Sequence, residues 1–453
     1  MGETAATSFL DALQERVRDS LDACTGCGKC VEACPMAGPA GVDRSDPPAV
    51  VAGLLDLLAG GAGTADARRW AEVCTNSGRC IEACDYGVNP RFLVNMARLA
   101  AKAQRGEAET RRAGAAAFNA MSRGVRTLSR LQLPPELLAR VNPPRGPESE
   151  KGGGKGGEDG DAPPEILFYT GCNVLKTPHI ALLCLDLLDR LGVRYAVAGG
   201  PSHCCGILQF KAGDGKTAGR LGYGTIDKLA RAGTTRVLSW CPSCQIQIGE
   251  VALPAYARSF GARPFDLDPF FVYVAERLDA LRPHLVHRVE KRVALKERPA
   301  VPQTMVAVKA ILAAIPGLEL VDLGLPRVST QENHLAVLPD FQQALREQQF
   351  AAAAAAGVTT LATVYHACHR ELCHYEKDVT FEIVNVMELI GEAMGIAVPD
   401  LFKRLKMMGE IDAVLADTAD LIARHGLDLD AVRDVLAADM FAGRPAGGAP
   451  AGG

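Results

Sequence analysis

The stretch CTGCGKCVEACP, residues 24–35, decides how the amino-terminal part of this chain is read. Its four cysteines, Cys24, Cys27, Cys30 and Cys34, follow a C-x2-C-x2-C-x3-C-P spacing. Three thiolates on one tight loop can cap three corners of an iron–sulfur cube, while the fourth faces away and ligates a second cluster. Working outward, the run CTNSGRCIEACDYGVNP, residues 74–90, carries Cys74, Cys80 and Cys84, with Ser77 in the place of a fourth thiol. The crossed arrangement assigns Cys24, Cys27, Cys30 and Cys84 to a [4Fe-4S] cluster and leaves Cys34, Cys74 and Cys80 for another. Three thiolates suit a [3Fe-4S] cluster, whereas a fourth iron held by Ser77 or water would make it a second [4Fe-4S] cluster. A structural zinc site needs only four ligands and would leave the second run unexplained.

Around these runs the sequence reads as helix, with Phe9, Leu10, Leu13, Val17 and Leu21 at helical spacing, which predicts a mainly α-helical, ferredoxin-like domain over residues 1–141. Residues 142–164 include GGGKGGEDGD and bury too little apolar surface to order themselves, so a flexible linker is expected there. Beyond it, ILFYTGC (166–172) reads as a buried strand, HIALLCLDLLDRLGV as an amphipathic helix and TTRVLSW as a second strand. Alternating strand and helix predicts α/β layers on a parallel sheet, over 165–290. A shift of 124 residues lays AGTTRVLSW over AGVTTLATVY and the strand near 193 over LELVDL, so a second, degenerate unit is expected over 291–440. The chain is expected to turn helical again from about Glu376, and 441–453 to be a disordered tail.

The second dense group is Cys172, Cys204, Cys205, Cys241 and Cys244, spaced C-x31-CC-x35-C-x2-C, with Gly206 after the adjacent pair. Five thiolates exceed what a cube or a tetrahedral zinc can use, and adjacent cysteines can place one sulfur as a bridge between irons. Zinc on four of the five remains open from spacing alone. His203, just before the pair, is a candidate to donate a hydrogen bond to sulfur or a proton to a leaving thiolate. Under the 124 shift the five positions land on Lys296, Val328, Ser329, Tyr365 and Cys368, which excludes a second five-thiolate cluster. What remains is YHACHRELCHYE, with His366, Cys368, His369, Cys373 and His374, plus His334; it reads as a replacement metal, redox or proton-handling site, or as a polar remnant.

On these motifs the chain resembles two families. The C-x5-C-x3-C run followed by Asn89-Pro90 is similar to the three-iron site of succinate dehydrogenase and fumarate reductase iron–sulfur subunits, which implies exchange with a quinone-level partner. The five-cysteine motif resembles the CCG domain of heterodisulfide reductase, found also in the glycolate oxidase iron–sulfur subunit. That resemblance implies a non-cubane [4Fe-4S] cluster on Cys172, Cys204, Cys205, Cys241 and Cys244. It also implies a subunit that reduces or forms a disulfide there or, alternatively, relays electrons between a flavoprotein and a quinone-reactive membrane subunit.

Composition narrows the partners. The 453 residues carry 49 Lys plus Arg against 53 Asp plus Glu, a net charge of −4 that is too balanced for a nucleic-acid footprint. Residues 101–145 are locally basic and read as a solvated connector or a dock for an acidic partner. No export signal, transmembrane run or glycine-rich dinucleotide fingerprint is apparent. The expectation is a cytoplasmic protein that reaches a membrane's inner face only through a partner, with flavin or nicotinamide on another subunit.

Overall fold

The computed structural model describes residues 2–144 and 164–442, so most of the expected linker (145–163) and tail (443–453) lie outside the described residues. The amino-terminal part is helical: α1 (Gly2–Ala23), α2 (Lys29–Glu32), α3 (Pro47–Leu58), α4 (Ala65–Val73), α5 (Arg79–Glu82), α6 (Pro90–Ala103), α7 (Glu107–Arg130) and α8 (Pro135–Val141). The expected stripe of α1 is used, with Phe9, Leu13 and Val17 buried and Leu10 and Leu21 at its half-buried rim. Each such buried side chain contributes about 1.5–3 kcal/mol. Asp46 and Asn89 cap α3 and α6 by accepting from the amides of Ala49 and Phe92, each ahead of a proline in the first turn.

The rest is α/β. Strand β1 (Ile166–Gly171) is followed by α9 (Pro178–Arg190), β2 (Tyr195–Gly199), α10 (Ile207–Ala212), α11 (Gly215–Ala230), β3 (Arg236–Ser239), α12 (Pro242–Ile246) and β4 (Asp266–Pro269). These strands form a parallel sheet in the order β2-β1-β3-β4. A second parallel sheet, β5 (Arg292–Lys296), β6 (Glu319–Val321), β7 (Thr360–Thr363) and β8 (Glu382–Asn385), repeats that topology as β6-β5-β7-β8. All six residues of β1 are buried, as befits a parallel strand covered on both faces.

Three expectations change. The helical stretch set to begin near Glu376 is interrupted by β8, and the matching β4 was also missed; four residues are too few for a period to show. The 124 shift holds for β2 and β3 but not for β1. Leu167 pairs with Ala196 as Val293 pairs with Leu320, and Leu167 pairs with Val237 as Ala294 pairs with Leu361. The offset of the first strand is therefore 126 or 127, and the counterpart of Cys172 is Arg298 or Pro299, not Lys296. Finally, the tail set at 441–453 starts too early, since Phe441 is buried with the carboxy-terminal helices.

One core runs through both α/β units, and another joins the amino-terminal helices to the first sheet. A third packs the carboxy-terminal helices on Leu128 of α7 and on Leu131 just after it. The basic segment packs along one face and is solvated on the other: α7 buries Met121, Val125 and Leu128, a Cβ at Gly114 would lie 3.3 Å from Gln209 of α10, and Arg105, Arg111, Arg112, Arg123 and Arg126 are exposed. No helix among the described residues is long and apolar enough to cross a membrane.

Candidate iron–sulfur ligand sites

Helices α2 and α5 are built alike. Each starts from a left-handed glycine, Gly28 and Gly78, both with φ 82°, which lets the loop turn sharply into the helix. An offset of 50 residues superposes Cys24, Cys27, Cys30 and Cys34 on Cys74, Ser77, Cys80 and Cys84. The two loops lie side by side, and Cys84 of the second reaches the first. Cys24, Cys27, Cys30 and Cys84 line one cavity, closed by Val51, Leu54 and Leu93. Burial, helped by neighbouring Cys24, pushes the Cys30 thiol up to about 12. Cys34, Cys74 and Cys80 form the other group: burial and then Cys74 raise Cys34, and burial, Cys74 and Cys34 raise Cys80 well above the ordinary thiol range. Thiols gathered in apolar surroundings become thiolates only with a cation to share, which is what an iron–sulfur core supplies, so this donor set fits such a group.

The second loop is held from several sides. Arg98 donates to the carbonyls of Ala71 and Cys74, each at 2.6 Å. Arg91 donates to Asn76 O at 3.1 Å and to Ala300 O at 3.0 Å, and pairs with Glu250. Thr330, from the second α/β unit, donates through its hydroxyl to Thr75 O at 2.6 Å and Asn76 O at 2.9 Å. Ser77 is buried inside this wrapping.

The five-cysteine group sits at the carboxyl ends of the first sheet. Cys172 follows β1, Cys204 and Cys205 lie after β2, and Cys241 and Cys244 follow β3. From β1 the chain crosses to one side for β2 and to the other for β3, a switch point of the kind where α/β sheets hold ligands. Two glycines make room. At Gly171 (φ 75°) a Cβ would lie 3.2 Å from Cys241 Cβ and 3.3 Å from Cys244 Sγ. At Gly206 (φ 81°) a Cβ would lie 2.6 Å from Ala218 O. Gly206→Ala should therefore destabilise the fold by about 2 kcal/mol or more, through the left-handed backbone and the clash, read as a lowered denaturation midpoint.

Four of the five thiols are almost fully covered, with Cys241 the most exposed of them at 7 %, and Cys172 is half-buried. Cys205 lies against Cys204 and Cys244, and Cys244 also against Cys241, so that a single Cys244 proton is shared between two sulfurs; these contacts lower Cys205 and Cys241 and raise Cys204 and Cys244. Burial also raises Cys172. Polar groups surround the sulfurs: Gly206 N lies 3.4 Å from Cys204 Sγ, Tyr169 Oη 3.7 Å from Cys244 Sγ, Asn173 Nδ2 3.7 Å from Cys172 Sγ and Gln331 Nε2 3.8 Å from Cys241 Sγ. His203 has its Nδ1 2.8 Å from Gly199 O and 3.0 Å from Ser202 Oγ, and its carbonyl accepts from Tyr169. Trp240 packs on Phe270 and Phe271.

Lys211 lies between the three-cysteine and five-cysteine groups, and nothing in its sequence neighbourhood signalled it. Burial, and then Arg98, bring its pKa down to about 8 against the opposing pull of Cys74, Cys205 and Cys241. Its Nζ is 3.3 Å from Nε2 of His334.

The second unit has no comparable set. Cys368 alone stands where the first unit has Cys244, and the buried Lys296 and Arg298 pair with Glu332 at the end of β5. The residues of YHACHRELCHYE do not form one site. Cys368 faces Arg298, His366 lies toward Arg370 and Lys176, His374 stacks on Tyr375, and His369 contacts Asp400.

Comparison with known proteins agrees with this layout. Residues 10–88 match the 4Fe-4S dicluster domain and residues 166–249 the CCG cysteine-rich domain. The chain is 21% identical over 248 residues to a dihydromethanophenazine:CoB–CoM heterodisulfide reductase subunit of Methanosarcina barkeri, a match covering 51% of this chain and 60% of the relative. It is 22% identical over 249 residues to the corresponding Methanosarcina mazei protein, covering 51% and 59%. The match thus spans about three fifths of these relatives.

Proposed function

We propose that this iron–sulfur protein, similar to those heterodisulfide reductase subunits, carries electrons along its three cysteine groups to or from a disulfide/thiol couple at the last of them. In this reading Cys24, Cys27, Cys30 and Cys84 hold a [4Fe-4S] cluster, and Cys34, Cys74 and Cys80 a [3Fe-4S] cluster. Cys172, Cys204, Cys205, Cys241 and Cys244 hold a non-cubane [4Fe-4S] cluster. The observation that carries it is the order of the groups in space. Cys30 of the first group is within electrostatic reach of Cys80, and Lys211 is within reach of Cys74 on one side and of Cys205 and Cys241 on the other.

Clusters bound at these sites supply one-electron transfer. The chain's own residues set the conditions. Lys211 holds positive charge between the second and third groups, where it favours the arrival of an electron. The amide nitrogens of Asn173 and Gln331 and the Tyr169 hydroxyl face the sulfurs and stabilise negative charge on them. Reducing a disulfide takes two electrons and two protons and yields two thiols. His203 is the proposed proton donor, and Cys172, the half-buried ligand, marks the side from which a substrate comes.

A second reading, a relay between a flavoprotein and a quinone-reactive membrane subunit, draws support from the burial of the other four thiols and from the lack of a second five-thiolate set. One assay separates the two. The chain, isolated with its bound partners and chemically reduced, should release thiols from a panel of small and protein-bound disulfides, and Cys205→Ala should bring that release to background. If no disulfide turns over or perturbs the cluster spectrum while electrons still pass from flavoprotein to quinone, the relay reading stands.

A further inference from the structure

Away from the cysteine groups, four side chains from separate segments converge in the interior. His179 opens α9 in the first α/β unit, and His369 and Glu388 come from helices His366–Leu372 and Val386–Met394 in the second. Asp400 precedes the helix Leu401–Met408. One ligand atom from each lies within 4.8 Å of those of all the others. We propose that His179, His369, Glu388 and Asp400 form a divalent-metal site that takes zinc and fastens the two α/β units together.

The His179 ring is the first reason. It is 2 % exposed and neither ring nitrogen makes a hydrogen bond; instead Nδ1 faces Asp400 Oδ1 at 3.4 Å and Nε2 faces Glu388 Oε1 at 3.8 Å. A buried imidazole without a partner is costly, and a metal ion would satisfy it. Spacing is the second. A tetrahedral zinc with bonds of about 2.0–2.1 Å separates its ligand atoms by roughly 3.3 Å; a histidine gives such an ion one nitrogen, and Nδ1 of His179 lies 3.4 Å from Asp400 Oδ1, with one ligand atom of each of the four residues within 4.8 Å of the others.

The carboxylates are also fixed in advance. Glu388 accepts from Asn385 N at 2.7 Å in a capping box, and Asp400 accepts from Lys403 N at 3.0 Å, so each is oriented by a helix start as outer-shell hydrogen bonds orient metal ligands. Charge points the same way. Two half-buried carboxylates stand beside two buried imidazoles, and Lys403, whose amide caps onto Asp400, has its ammonium paired with Glu376. Two imidazoles and two carboxylates with no thiolate form a closed set suited to zinc and unsuited to an iron–sulfur cluster.

The test uses the full-length protein with its clusters in place, stripped of loose metal with a chelator and then supplied with zinc alone. About one zinc per chain should remain after dialysis, and its X-ray absorption should show only nitrogen and oxygen neighbours at about 2.0–2.1 Å. His369→Ala and Asp400→Asn should each lose that zinc with iron content unchanged. Sulfur in the zinc shell would mean that the ion had entered a cysteine site, and it would overturn the proposal, as would a folded wild-type protein that retains no zinc. Both readouts come from the unmodified protein, so they decide the matter even where a variant fails to fold, and whatever the disulfide assay shows.

Discussion

Cys205→Ala in the full-length protein should remove about four of some eleven irons per chain and extinguish the signal of the terminal cluster while leaving both amino-terminal centres spectroscopically unchanged. The size of the effect follows from position. Cys205 sits at the centre of the five-cysteine group, against Cys204 and Cys244, and the chain gives it no substitute ligand: on its two sides stand Cys204, already in the set, and Gly206. The substitution deletes one sulfur atom from a covered position, so the fold around β1 and β3 should survive. The amino-terminal ligands come from different loops and do not depend on Cys205. Iron analysis with electron paramagnetic resonance measures the outcome. Zinc bound through sulfur in this domain, with iron unaltered by the substitution, would refute the assignment.

Ser77→Cys should convert the middle centre from three irons to four, raising iron by about one per chain and abolishing the oxidised three-iron resonance. Ser77 is the counterpart of Cys27, and the residue after each is a glycine with φ 82° that opens a four-residue helix, so the backbone is already shaped to present a thiol. The side chain is buried against a loop held by Arg91, Arg98 and Thr330, which disfavours water as a stable replacement for a fourth ligand. If the native protein, prepared anaerobically and then oxidised, gives no three-iron resonance, the middle centre is a cube and the assignment of Cys34, Cys74 and Cys80 alone is wrong.

The candidate cysteine groups were legible in the sequence because thiolate chemistry is tied to short spacings: the runs around Cys24, Cys74 and Cys241 each lie on one loop. The α/β character showed in the apolar run of β1, whose six residues are all buried. The rest depends on contacts between distant segments. Lys211 gains its place between two cysteine groups only when α10 meets the amino-terminal helices, and no local pattern marks it. The slip of β1 against its repeat is a matter of strand register, visible in pairing and hidden from a constant shift. YHACHRELCHYE looked like one site because its residues are close in sequence, yet a helix turns them toward different neighbours, and His369 finds its partners in His179, Glu388 and Asp400.

The second α/β unit lacks the five thiolates but presses Thr330 and Ala300 on the loop of Cys74 and Ser77, where Thr330 donates to the Asn76 carbonyl and Arg91 of α6 bridges that carbonyl to Ala300. On the electron path proposed above, such a unit serves as insulation. It keeps a low-permittivity layer over the middle of the conducting path, which strengthens the influence of each fixed charge beneath it. Paring the protein down to its ligand-bearing parts would leave every thiolate in place and still yield a leaky conductor.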